Sequence, residues 1–144
     1  MKKLSIMFLL LSAGCASAQD MPQQNVPAVV VNAFQQKFPQ QSMVEWELKK
    51  GLYEAEFEIK NLDHSVYLDS TGKIVRYKQE INAADLPEAV KTSIEKNFNG
   101  YKIDDVKKIE EGSAVSYKVE LEKGQDERKV TFGTDGKIIK NIVD

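Results

Sequence analysis

From Pro27 the chain reads PAVVVNAFQQKFPQQ, and Val30, Ala33, Phe34 and Phe38 fall at i, i+3, i+4 and i+8. That spacing is one face of a helix. Pro27 suits a first turn, where its missing N–H is no loss. Pro39 cannot continue the helix and marks its end. The same pattern returns 60 residues later, where Pro87, Val90, Ile94 and Phe98 repeat Pro27, Val30, Phe34 and Phe38. Asp85 is placed to cap this second helix, and Asn99-Gly100 to stop it.

After each helix the period drops to two. Val44, Trp46 and Leu48 alternate with Glu45, Glu47 and Lys49; Tyr53, Ala55, Phe57 and Ile59 alternate with Glu54, Glu56, Glu58 and Lys60. Strict alternation predicts strands with one buried face. Lys50-Gly51, Asn61 to Asp63 and Asp69 to Gly72 read as the intervening turns, with a fourth strand over residues 74–81. The line VYLDSTGKIV at Val66 has a counterpart in VTFGTDGKII at Val130, 64 residues on. Tyr117, Val119 and Leu121 likewise follow Tyr53, Ala55 and Phe57 by 64. The offset grows across Glu110 to Ala114, which predicts a longer loop there. The strand before it, Ile103 to Glu110, alternates poorly.

The chain is therefore a duplicated unit of one helix and about four antiparallel strands: an α+β fold with repeats over residues 26–81 and 86–144. One such unit alone, at about 60 residues, buries little of its surface. The short linker Asn82 to Asp85 favours two units that share a sheet or dock edge to edge.

Residues 1–18 have another character. Lys2 and Lys3 precede the apolar run Leu4 to Ala13, and Ala16-Ser17-Ala18 offers a cleavage site. That is the layout of a secretory signal peptide, and the run is shorter than the roughly 20 residues a membrane span needs. Cleavage after Ala18 would leave a polar, flexible leader over residues 19–25 and a periplasmic or secreted protein. The alternative is a lipoprotein anchored at Cys15, although Ser12 stands where such a signal wants an aliphatic residue. Cys15 is the only cysteine, so no intramolecular disulfide can form. Without Lys2 and Lys3 there are 18 basic and 22 acidic residues, a net charge of −4. That balance argues against nucleic acid as a partner.

Several residues and motifs carry a family resemblance. They are the helix that opens Leu86-Pro87-Glu88-Ala89-Val90 and closes at Phe98, the strand with Tyr117 and Val119, and the Asp135 to Lys137 hairpin. Over residues 26–143 the chain resembles the PepSY-like, β-lactamase-inhibitor-like family. The resemblance implies helices on one face of an antiparallel sheet and an open, concave opposite face. In related folds that face inhibits an enzyme. PepSY relatives also occur in protease propeptides, and members of this group are extracytoplasmic. The inhibitor that lends the group its name has disulfides and an aromatic-rich concave face, which this chain lacks. The fold carries over; no inhibitory residue does.

The candidate site is the acidic side of the first repeat: Glu45 and Glu47 on one strand, Glu54, Glu56 and Glu58 on the next, with Tyr67 beside them. Paired as a hairpin, these strands would present five carboxylates on one open surface. Like charges on paired strands repel, so the row is either a binding surface or a solvated face. The equivalent positions of the second repeat are Ser116, Lys118, Glu120 and Glu122.

No cofactor motif, phosphate loop or nucleophile elbow is present. His64 is the only histidine, too few for a zinc site, and is expected to be structural. Asp69 to Gly72 is expected to be a hairpin turn, and Trp46 to lie in the core. The leading expectation is a non-catalytic exported binding module for a cell-envelope protein such as a hydrolase or protease. The alternative is a Ca²⁺-binding protein that uses the same carboxylates. An unrecognised hydrolase is the least favoured, since no nucleophile–base pair is visible.

Overall fold

The computed structural model describes residues 19–144; the expected signal segment and Cys15 lie outside them. In chain order the elements are β1 (Gln19–Asp20), a 3-10 turn (Gln23–Asn25), α1 (Ala28–Lys37), β2 (Glu45–Lys49), β3 (Leu52–Ile59), β4 (Leu62–Leu68) and β5 (Ile74–Glu80). A second 3-10 turn (Ala83–Asp85) leads to α2 (Glu88–Asn97), β6 (Lys102–Glu111), β7 (Ala114–Lys123), β8 (Asp126–Gly133) and β9 (Ile138–Val143). All nine strands form one antiparallel sheet in sequence order, and β5 pairs with β6 to join the two repeats. The fold is α+β, as the alternation predicts.

Each repeat has its own core under its own helix. Val30 and Phe34 of α1 are buried with Trp46, Ala55, Phe57, Val66 and Leu68. Val90 and Ile94 of α2 are buried with Val106, Val119, Leu121, Val130 and Phe132. These strand positions share one side of the sheet, so both helices cover the same face. Phe34 makes edge contacts with Trp46 at 5.4 Å and with Phe57 at 5.3 Å between ring centroids. Trp46 is core, as expected, although its indole N–H meets no acceptor among the described residues.

The repeated hairpins seat the helices. Gly72 and Gly136, at φ +86° and +80°, each press against a carbonyl of the first helical turn: Val29 in α1 and Ala89 in α2. Asp69 Oδ1 organises the first of these turns by accepting from the Thr71 and Lys73 backbone N–H groups. Asp135 Oδ1 accepts from the Lys137 N–H in the second.

Four local expectations are corrected. Residues 19–25 carry β1 and a 3-10 turn: Gln19 and Asp20 pair with Leu48 and Glu47, and the Met21 N–H donates to the Trp46 carbonyl at 2.8 Å. The leader thereby satisfies backbone groups that an edge strand would leave bare. Asp85 does not cap α2; it lies in the preceding turn, and the N-cap is Pro87 with no side-chain cap. The turn after β3 falls at Lys60 and Asn61, both at positive φ, so Asp63 enters β4. No long loop follows Glu110. The extra residues instead lengthen the β6–β7 hairpin by two pairs, Glu110↔Val115 and Glu111↔Ala114.

Candidate functional site

Among the described residues no helix covers the other sheet face, and the alternation of β2 to β4 places every predicted site residue on it. Glu45 lies across from Glu56, Glu47 across from Glu54, and Glu54 across from Tyr67. Glu58 extends past the end of β2 and faces Asp63 instead. The structure thus brings Glu45, Glu47, Glu54, Glu56, Glu58 and Tyr67 onto one side.

They are not equally available. Glu54 is 1% exposed. Lys49, also on this side of β2, reaches back between the two acids; its ammonium lies 2.7 Å from Glu47 and also contacts Glu54. These are ionic contacts rather than well-aligned hydrogen bonds. Burial would raise the Glu54 carboxyl, but Lys49, the Tyr67 hydroxyl and Lys78 outweigh it and hold the group below the ordinary carboxylate range. Glu56 shifts the other way: burial and the neighbouring Glu54 and Glu47 charges raise it. Glu45 and Glu58 are exposed.

Tyr67 is buried among charges. Its hydroxyl accepts from Lys78 Nζ at 3.0 Å, and the Arg76 and Lys78 cations stand 5.3 Å and 4.8 Å from its ring centre. Burial and the Glu54 carboxylate raise its phenol. Lys78 is lowered by burial and then by Arg76.

Beyond these positions the face changes sign, which the sequence reading missed. Along one cross-strand row Glu45, Glu56, Ser65, Lys78 and Ile109 follow one another. Along the next run Glu58, Asp63, Glu80, Lys107 and Lys118. The expected carboxylate surface therefore covers β2 to β4 and gives way to lysines where the repeats join. Both rows line an open groove of about 1030 Å³, bordered by the loop that leads from α1 into β2. In that loop Met43 is 88% exposed. Extending the alternation through β5 would have found Lys78 and Glu80. Lys107 and Lys118 enter only through the pairing between repeats.

Among the described residues no group of three or more metal-ligating side chains is placed to hold an ion. Glu47 and Glu54 converge on Lys49 rather than on an open cation site. His64 is buried between the rings of Phe57 and Tyr77, stacked at 5.4 Å and 5.8 Å. Its Nδ1 is 2.7 Å from the Tyr77 hydroxyl, and burial lowers its pKa.

This architecture, two helix-and-sheet units sharing one bare face, agrees with a family model described as "Putative beta-lactamase-inhibitor-like, PepSY-like", which matches residues 15–76 and again 75–140. The chain belongs to the PepSY-like family. Among solved structures, a DUF2874 family protein from Bacteroides uniformis is similar with a TM-score of 0.75 at 21% identity, over 81% of this chain and 88% of that one. A "putative periplasmic" protein from Bacteroides eggerthii gives 0.77 at 17%, over 82% and 88%. A BLIP-like protein from Bacteroides fragilis gives 0.70 at 21%, over 81% and 85%. At these identities the likeness shows the PepSY-like fold. No curated protein sequence matches the chain. Among the described residues no helix is long and apolar enough to cross a membrane.

Proposed function

We propose that this PepSY-like protein is a non-catalytic exported binding module that docks a cell-envelope protein, a hydrolase or protease, on its open sheet face in an inhibitor-like manner. The observation that carries this reading is the one-sided cover of the sheet. Both helices occupy one face, and among the described residues the other carries an open groove over the first repeat that reaches Lys107, Ile109 and Lys118 of the second. Grooves and clefts are where proteins preferentially hold ligands. The family description supports an inhibitor-like or binding role, and the signal-like segment and the "putative periplasmic" relative support export.

The test is crosslinking capture from the protein's own envelope extract, with the chain from Gln19 onward as bait. A parallel bait carries Glu56→Lys and Glu58→Lys, which leave the buried Glu54–Lys49 pair intact. A partner held by the first bait and lost from the second supports the reading. Identical recoveries from both baits, or no specific partner, count against it.

A further inference from the structure

Three features of the described residues go beyond the acidic site of the first repeat. They are the exposed edge of β9, the stacked His64 in the first core, and the change of charge sign across the groove. The third reaches furthest, because it specifies what a partner must carry.

The sign change is ordered, not scattered. In one row three consecutive strands present Glu58, Asp63 and Glu80, and the next two present Lys107 and Lys118. In the adjacent row Glu45 and Glu56 precede Ser65 and Lys78. In these two rows like charges therefore stand directly opposite one another three times: Glu45 with Glu56, Glu58 with Asp63, and Lys107 with Lys118. Such pairs destabilise a sheet. Where this sheet relieves like charge it does so visibly, as Lys49 does between Glu47 and Glu54. Lys107 has an acid of its own strand at 3.2 Å, in Asp105. Glu45, Glu56 and Glu58 take part in no ion pair among the described residues. The two like-charged ends face the same open volume.

We infer that the groove recognises a dipolar protein surface, with a basic group seated over Glu56 and Glu58 and an acidic group over Lys107 and Lys118. This rests on the open face being the docking surface and adds the charge pattern of the partner. The two ends are three to four strands apart, about 14–19 Å at the usual strand spacing of about 4.8 Å. An extended segment spans that distance in about four to six residues. A partner of uniform charge would satisfy one end and be repelled by the other. The buried Tyr67, in contact with Lys78 and beside Glu54, marks the boundary between the ends.

The test uses three capped peptides of equal length: one with two arginines and two glutamates centred about five residues apart, one with arginines only and one with glutamates only. Each is titrated into the purified protein at low salt, and backbone amide shifts are mapped. The dipolar peptide is expected to shift amides at both Glu56–Glu58 and Lys107–Lys118, and to bind about fivefold tighter than either uniform peptide. Glu56→Lys with Glu58→Lys should remove the advantage, and so, separately, should Lys107→Glu with Lys118→Glu. The variant carrying all four changes reverses the dipole and should bind the same peptide in the opposite orientation, which a spin label at one peptide end reports. Equal binding of the three peptides, or shifts confined to the acidic end, would overturn the inference. The capture experiment with a whole partner decides the wider reading separately, since a partner held by the acidic end alone would be lost from the Glu56→Lys, Glu58→Lys bait and so pass that test, yet fail this one.

Discussion

Gly136 lies against the carbonyl of Ala89, so close that a β-carbon built on the glycine would sit 2.3 Å from that oxygen. Gly72 stands in the same relation to Val29, at 2.8 Å. In each repeat the hairpin that follows the third strand thus locks onto the first turn of the helix. That contact is the physical content of the repeated Gly-Lys hairpin: it sets where a short helix sits on its sheet.

Gly136→Ala should therefore destabilise the protein by roughly 2–4 kcal/mol, combining the cost of positive φ for an L-residue with displacement of α2. Gly72→Ala should cost less, because its nearest contact is longer. Urea unfolding measures both. A change below about 0.5 kcal/mol at Gly136, the range of ordinary surface substitutions, would contradict the packing described.

Lys49 holds two carboxylates that would otherwise face each other across β2 and β3. Lys49→Met should destabilise by about 1–3 kcal/mol at neutral pH, less than for a fully buried pair because the ammonium is partly solvated. The sign with pH follows from Glu54. Its folded pKa is depressed, so its contribution is present above the unfolded carboxylate range and is lost as pH falls through the folded value. Without Lys49 only the Tyr67 hydroxyl and Lys78 oppose the effect of burial, so the folded pKa of Glu54 moves up. The gap between wild type and variant should thus narrow as the solution is acidified below about pH 5. A gap independent of pH would refute the pairing.

Adjacent acids on one strand should respond oppositely. Glu56 is raised in the folded state, so its ionisation disfavours folding above that raised value and has no such effect below the unfolded value. Glu56→Gln should leave stability at neutral pH unchanged or increase it by a few tenths of a kcal/mol, whereas Glu54→Gln should lower it. Thermal melts of the two variants side by side provide the check. Equal destabilisation would contradict the assigned environments.

His64 should add a separate acid slope. Its folded pKa lies below the unfolded value of about 6.5, so its contribution is present above that value and is lost as pH falls through the folded one. Stability measured from about pH 7 to 5 should decline in the wild type and decline less in His64→Phe, where no cation has to be buried between Phe57 and Tyr77. An unchanged slope would place the acid sensitivity elsewhere.

The two-repeat plan could be read from the chain because it is written in local patterns. The helical faces recur at one offset, and hairpin turns such as Lys50-Gly51 fix which residues of β2 and β3 oppose one another. The acidic rows followed from that register. Alternation gives the side of a residue but not its depth, so the burial of Glu54 and its capture by Lys49 emerged only in three dimensions. The lysine half was hidden for a different reason. β6 meets β5 through a pairing that spans a whole helix in sequence, and at this seam charged residues stand on both faces. Lys107 is on the open side, and Lys108 pairs with Glu110 at 2.7 Å on the other. A bulge between Ile103 and Asp105 puts Ile103 and Val106 on the same side at an odd spacing, and Ile109 falls on the open side, so the strand alternates poorly and the register that sets Glu80 beside Lys107 cannot be deduced from it.

The most direct test of the open face as the docking surface is site-specific photo-crosslinking in envelope extract. A photoreactive residue is placed at Ser65, in the middle of the open face, and in separate variants at Gln36 of α1 or Glu95 of α2, both exposed on the helical side. A protein partner crosslinked from Ser65 and from neither helix position is the predicted result. Equal or stronger crosslinking from the helices, with none from Ser65, would contradict it.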